Sequence, residues 1–137
     1  MADHTAAANE ALGRRFFAEQ DRLRGGPAEA LCAPGYTARI GGAPEMSREG
    51  HEGFARAFYA AFPDLRHTVD DAFATGDRVA IRFTLAGTQT GPFFGMPPTG
   101  ARVSVSANIL MRVADGKVRE LVGVFDEAGL LRQLGAL

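Results

Sequence analysis

Few residues of this 137-residue chain combine a reactive type with a telling position. Asp126 stands between the apolar run Leu121-Val122-Gly123-Val124-Phe125 and the tail "EAGLLRQLGAL". A carboxyl against an apolar wall keeps its proton to higher pH and can serve as acid and base near neutrality. Val122, Val124 and Phe125 are available to form that wall. Val122, Val124 and Asp126 share strand parity, so all three can face one side. The spacing fits a plainer role equally well. Aspartate is a favoured helix N-cap, and a helix-like segment follows directly. A capping carboxylate accepts backbone N–H bonds, which lower its pKa and spoil it as a proton shuttle.

Other groups are weaker candidates. Asn108 shares a strand face with Ser104 and Ser106, opposite Val103, Val105, Ile109 and Met111. It reads either as a solvated polar residue or as a neutral donor to a developing oxyanion. The histidines His4, His51 and His67 have no zinc-like spacing, and no metal or cofactor is expected. His67 alternates with Val69 and reads first as a satisfied or exposed strand histidine, but it is the one imidazole in a strand, a side-chain type whose unperturbed pKa suits proton transfer. Tyr59 adjoins Phe58 and reads as packing; Tyr36, after "CAPG", is the better of the two phenols. Arg112 and Glu120 flank a hairpin turn and are placed to pair across it. In "PFFGMPP", Phe93, Phe94 and Met96 cannot all point inward, so part of that loop is a pocket lid or a dimer contact.

These groups must be positioned by the rest of the chain. Residues 6–24 read as a helix with Leu12, Phe16, Phe17 and Leu23 on its buried stripe. "AEALCA" (28–33) reads as a second short helix. "SREGHEGFARAFYAAFP" is a third, with Ser47 as cap and Phe54, Phe58 and Phe62 at helical spacing. After Pro63 the period falls to two. "LRHTVDDAFA", "RVAIRFTLAGTQT", "ARVSVSANILMRV" and "VRELVGVF" are four strands in antiparallel hairpins, the last pair joined by "ADGK". A helix over about 127–134 ends the chain. Segregated helices and strands give an α+β domain spanning 1–137, with 1–5 frayed. A sheet wrapped on one face by helices leaves an apolar cavity suited to a small molecule.

Composition limits the partners. Apolar residues are 46%, charged residues 23% and the net charge is −1, with no basic cluster for nucleic acid or a membrane surface. One cysteine, Cys32, rules out a disulfide framework. A cytoplasmic location is expected, and an exposed sheet face suits a homodimer.

"FPDLRHTVDD", "GDRVAIRFTLAGTQTGPFFGMPPTG" and "RVADGKVRELVGVFDEAGLLRQLG" together resemble the SnoaL-like polyketide cyclase family. The resemblance covers nearly the whole chain and is strongest from Phe62 to Gly135. It implies the nuclear transport factor 2-like (cystatin-like) fold, a cone of curved antiparallel sheet and N-terminal helices around a pocket. It also implies cofactor-free closure of a ring by intramolecular aldol addition, with Asp126 as acid and base. Three positions depart from the family pattern. Arg39 and Gln89 stand where many relatives carry His, and Val122 where many carry Trp. Arg39 and Gln89 can bind a carbonyl or carboxylate, or lie at the surface.

The expected function is therefore acid/base-assisted cyclisation or isomerisation of a small, apolar, carbonyl-bearing, polyketide-like substrate in a bacterial natural-product pathway. Asp126 is the expected catalytic residue. Asn108, Gln89, Arg39, Tyr36, Val122, Leu110, Phe94 and Met96 are the expected substrate contacts. Two alternatives stand beside it: a pericyclic-type closure driven by substrate folding, and a non-catalytic binding or dimerisation module.

Overall fold

The computed structural model describes the backbone of residues 2–137 and side chains from Thr5 onward. Of the residues 1–5 expected to fray, Met1 lies outside the described residues, and the backbone of 2–5 belongs to helix α1. The elements are helix α1 (Ala2–Leu23), a 3-10 turn (Glu29–Leu31), strands β1 (Cys32–Ile40) and β2 (Met46–Ser47), and helix α2 (Arg48–Ala61). Strands β3 (Arg66–Thr75), β4 (Arg78–Thr88), β5 (Arg102–Ala114) and β6 (Lys117–Phe125) follow, and helix α3 (Glu127–Gln133) closes the chain.

The six strands make one sheet in the order β2-β1-β6-β5-β4-β3. The α+β class holds, but the sheet is larger than the four strands read from sequence. Residues 28–33 supply only the single 3-10 turn, and from Cys32 the chain is extended. The short pattern "CAPGYTARI" hides a strand because its partner is remote: β1 runs parallel to β6. Its register shifts between Cys32 and Thr37, so Pro34 and Gly35 sit in the irregular stretch where a missing N–H does no harm.

On α1 the buried stripe is Leu12, Phe16 and Phe17, as expected, while Leu23 is exposed. The stripe continues instead through Gln20, a polar residue only 3% exposed. Helix α2 begins as expected, with the Ser47 side chain accepting from the Gly50 N–H. Strand β5 alternates cleanly, with Val103, Val105, Ala107, Ile109, Met111 and Val113 facing the helices. In β3 the alternation breaks. The register shifts between Val69 and Asp71, and one extra residue exchanges the two faces. Before the bulge Leu65, His67 and Val69 turn inward; after it Ala72 and Ala74 do, and Phe73 faces out. At the "ADGK" turn Asp115 and Gly116 both have positive φ (51° and 75°), the geometry of a two-residue hairpin.

Two clusters of buried apolar side chains fill the space between sheet and helices. One centres on Phe16, Phe17, Val79, Ile81, Met111 and Leu121, the other on Phe58, Phe62, Phe93, Val105 and Leu130. Each such side chain contributes about 1.5–3 kcal/mol by leaving water. The two clusters meet around a gap that neither fills, and that gap is the candidate site.

Candidate functional site

The gap is an interior cavity of about 70 Å³ lined mainly by apolar side chains, among them Phe17, Phe54, Phe58, Leu121 and Phe125. Four polar side chains share the lining: Gln20, His51, Tyr59 and His67. A second, more open hollow of about 260 Å³ adjoins it, with Phe94, Met96 and Leu131 at its rim. Ile40, Phe54, Phe58 and Phe125 border both spaces and separate them.

His67 is held by Asp21, forty-six residues away on α1. The His67 backbone N–H donates to Asp21 Oδ2 at 2.7 Å. Its ring Nδ1 lies 2.8 Å from Oδ1, and Tyr59 Oη donates to that same oxygen at 2.6 Å. Burial pushes the Asp21 carboxyl pKa up, but the hydrogen bond from the His67 ring, that residue's charge and the bonds from Tyr59 and the backbone together hold it below its usual value. The group is therefore an anion that can only accept. In the neutral ring Nδ1 must then carry the proton, and Nε2 has a free lone pair. Among the described residues Nε2 has no hydrogen-bond partner, and the ring lines the cavity. Arg24 fixes the third member of the group, its guanidinium 4.8 Å from the Tyr59 ring centre and one nitrogen donating to the Leu65 carbonyl at 2.9 Å. Burial, with the Asp21 bond, pushes the Tyr59 phenol up, so it stays protonated.

A second pair lies on the β1–α2 side. Tyr36 Oη and His51 Nδ1 are 2.9 Å apart, with their rings stacked at 6.0 Å. Burial, and then the charge of His67, lowers the His51 pKa to about 4. The unfolded chain takes up a proton at the ordinary 6.5, the folded protein only near 4. The stability this group allows is complete above pH 6.5 and is lost as pH falls towards 4, by roughly 3 kcal/mol from a shift of that size. Urea midpoints measured at pH 7 and pH 4 are expected to show this loss in the wild type and a shallower one in His51→Gln.

The residues singled out from sequence divide sharply. Asp126 does not face the cavity. It is exposed, it caps α3, and its Oδ1 accepts from the Gly129 N–H at 2.8 Å. Asp126→Ala is expected to cost about 1 kcal/mol of stability, typical of a lost cap, and to leave turnover within a few-fold; a urea melt and a rate check both. Val122 and Val124 do share a face, but it is the outer one. They form a shallow groove there with Asn108, Leu110 and Phe73. The inward residues of β6 are Val118, Leu121, Gly123 and Phe125. A side chain at Gly123 would make the end of the Ile109 side chain turn away. Arg39 is exposed opposite Val122 on that same outer face. Arg112 and Glu120 sit in register, as expected.

Gln89 is completely buried and lines neither space. Its Nε2 donates to the carbonyls of Gly91 and Pro97, and its Oε1 accepts from the N–H and hydroxyl of Thr99. It is the internal tie of the Gly/Pro loop. The loop does split its aromatics: Phe93 is buried, while Phe94 is 65% exposed with a φ of 44°. Positive φ is strained for a phenylalanine, and the Phe93–Met96 backbone pairing holds it there at the rim of the hollow. Of the expected contacts, then, Phe94 and Met96 reach the rim, while Tyr36 lies behind the lining, bonded to His51. Asp21 and Gln20 were missed in sequence. Their signal was available, since they follow Phe16 and Phe17 by four residues and so extend the buried stripe with polar groups.

A model of the SnoaL-like polyketide cyclases matches residues 11–134. The chain belongs to the SnoaL-like polyketide cyclase family. Aklanonic acid methyl ester cyclase DauD of Streptomyces sp. (strain C5) is 36% identical over 96 residues, 67% of this chain and 58% of DauD. The chain thus spans less than two thirds of that relative's length. Nogalonic acid methyl ester cyclase of Streptomyces nogalater is 43% identical over 60 residues, 44% of this chain and 45% of the relative. Among solved structures AclR of Streptomyces galilaeus, described as a candidate hydroxylase, superposes with a TM-score of 0.86 at 33% identity, over 96% of this chain and 87% of AclR. The SnoaL-like fold is therefore shared over nearly the whole chain, with the His67–Asp21–Tyr59 group inside its cone. Among the described residues no helix is long and apolar enough to cross a membrane.

Proposed function

We propose that this SnoaL-like protein closes a ring on a small, apolar, carbonyl-bearing polyketide-like molecule, with His67 as the acid and base. One observation carries the reading: the His67 ring lines an apolar cavity with Nδ1 held by Asp21 and Nε2 without a partner among the described residues. Nε2 removes a proton from a carbon next to a carbonyl. The enolate carbon attacks a second carbonyl of the same molecule and forms the new C–C bond. The alkoxide then takes the proton back from the imidazolium, so the net reaction is an isomerisation that needs no other reactant. Asp21 stabilises the imidazolium in between, as a buried carboxylate does for a base that charges during turnover.

The size of the cavity shapes the cycle. Small-molecule sites usually span roughly 300–1,000 Å³, and the interior here is about 70 Å³. A fused-ring substrate would enter from the rim hollow by turning the Phe54, Phe58 and Phe125 rings that separate the two spaces. Phe54 and Phe125 are only half-buried and have room to move. The DauD and nogalonic acid relatives supply the substrates to try, aklanonic and nogalonic acid methyl esters. Conversion of either to a cyclised isomer of unchanged mass supports the proposal; the appearance of a product heavier by one oxygen, with oxygen uptake, would instead favour the hydroxylation suggested by AclR.

A further inference from the structure

The proposed base leaves two polar groups of the cavity unused. Gln20 is 3% exposed and lines the cavity, and neither polar atom of its amide has a hydrogen-bond partner among the described residues. Its Oε1 is the one fully buried side-chain oxygen or nitrogen there without a partner. An unpaired buried amide is costly, and a protein that keeps one commonly has a water or ligand for it. The amide turns freely about its last torsion, so either its oxygen or its NH₂ can be presented to a guest.

His51 supplies the complementary group. Tyr36 Oη has a single partner among the described residues, His51 Nδ1. If Nδ1 donated to the phenol oxygen, the phenol proton would be buried without an acceptor. The phenol therefore donates, Nδ1 accepts, and the proton of the neutral ring sits on Nε2. Nε2 has no partner among the described residues, and the ring lines the same cavity as Gln20. His51 thus offers a donor where His67 offers an acceptor. The opposite tautomers follow from their opposite neighbours, a phenol that must donate and a carboxylate that must accept.

We propose that Gln20 and His51 form the recognition end of the cavity and select a substrate with a hydroxyl or enol oxygen at its buried end. The oxygen accepts from His51 Nε2–H, and its proton goes to Gln20 Oε1. A plain carbonyl can take the donors but leaves the fully buried Oε1 without a proton, whereas a hydroxyl pairs both the His51 donor and Oε1. The molecule enters oxygen first, with its apolar body among Phe54, Phe58 and Phe125. The substrate class rests on the cavity being the substrate site, but not on His67 being the base.

The test compares two aromatic probes of one shape, 2-naphthol and 2-methylnaphthalene, by fluorescence titration. The wild type is expected to bind 2-naphthol about tenfold more tightly, the effect of one or two hydrogen bonds. Gln20→Leu, close in size and without polar atoms, is expected to bring that ratio near one and to melt no lower than the wild type, because it removes an unpaired buried group. His67→Gln is expected to keep the ratio. Failure of the wild type to bind, a wild-type ratio near one, or a ratio unchanged by Gln20→Leu overturns the proposal. So does a ratio lost in His67→Gln but kept in Gln20→Leu, since the hydroxyl would then belong to His67. If His67→Gln still turns over while Gln20→Leu loses the preference, the base assignment fails and the recognition end stands.

Discussion

Asp21→Asn is expected to slow ring closure by about 100- to 10,000-fold, the range associated with a general base, in a protein that still folds. The reason lies in how the carboxylate's two oxygens are used. Oδ1 accepts from Tyr59 and from the His67 ring, and Oδ2 accepts from the His67 backbone. An asparagine has one acceptor and one NH₂. If the NH₂ takes the place of Oδ2 it meets a backbone N–H that cannot change its role. If it takes the place of Oδ1, both neighbours can adapt: the phenol turns, and the imidazole moves its proton from Nδ1 to Nε2. The second arrangement is cheaper, and it converts the cavity-facing lone pair into a donor. The base is lost by a change of tautomer, while the fold loses about 1–3 kcal/mol, the usual cost of a disturbed buried hydrogen bond. A steady-state rate and a urea melt on one preparation separate the two effects. A rate within a few-fold of wild type would show that Asp21 does not set the tautomer.

Gln89→Leu is expected to be the more damaging to structure. The amide closes four hydrogen bonds inside the loop between β4 and β5. Leucine fills the volume but leaves the carbonyls of Gly91 and Pro97 and the N–H of Thr99 without these partners. At about 1–3 kcal/mol for each group left buried and unpaired, with water recovering part of it, a net loss of roughly 3 kcal/mol follows. The loop also presents Phe94 and Met96 to the rim hollow. Its loosening is therefore expected to raise KM several-fold while kcat changes less, because His67 and Asp21 lie on other elements. Denaturant melts and a separation of KM from kcat check the two halves of this expectation.

The contrast between Gln89 and Gln20 shows what the chain reveals before it is folded. Local rules worked where the partner is local. Ser47 caps α2 and Asp126 caps α3 because the bonded N–H lies three residues on, and "ADGK" turns because Asp115 and Gly116 tolerate positive φ. The parity of β5 and β6 was also legible, but in β6 not which parity faces inward. Val122, Val124 and Leu110 are apolar on the outer face, so composition alone could not tell inside from outside. Strand β1 was hidden because its pairing with β6 joins residues some eighty positions apart. The site itself is assembled by such long reaches. Asp21 meets His67 across forty-six residues and Tyr59 across thirty-eight. In sequence each of the three had a satisfactory ordinary explanation, and only their convergence removes it.

The role of His67 against Asp126 is tested most directly by the rates of His67→Gln and Asp126→Ala, measured beside the wild type on the same cyclised substrate. Asp126→Ala is expected within a few-fold of wild type, because its carboxylate is engaged with Gly129 at the surface. His67→Gln is expected to fall by at least about 100-fold, the lower bound for loss of a general base. The reverse order, with Asp126→Ala inactive and His67→Gln active, would contradict the assignment and return the proton to the residue at the end of β6.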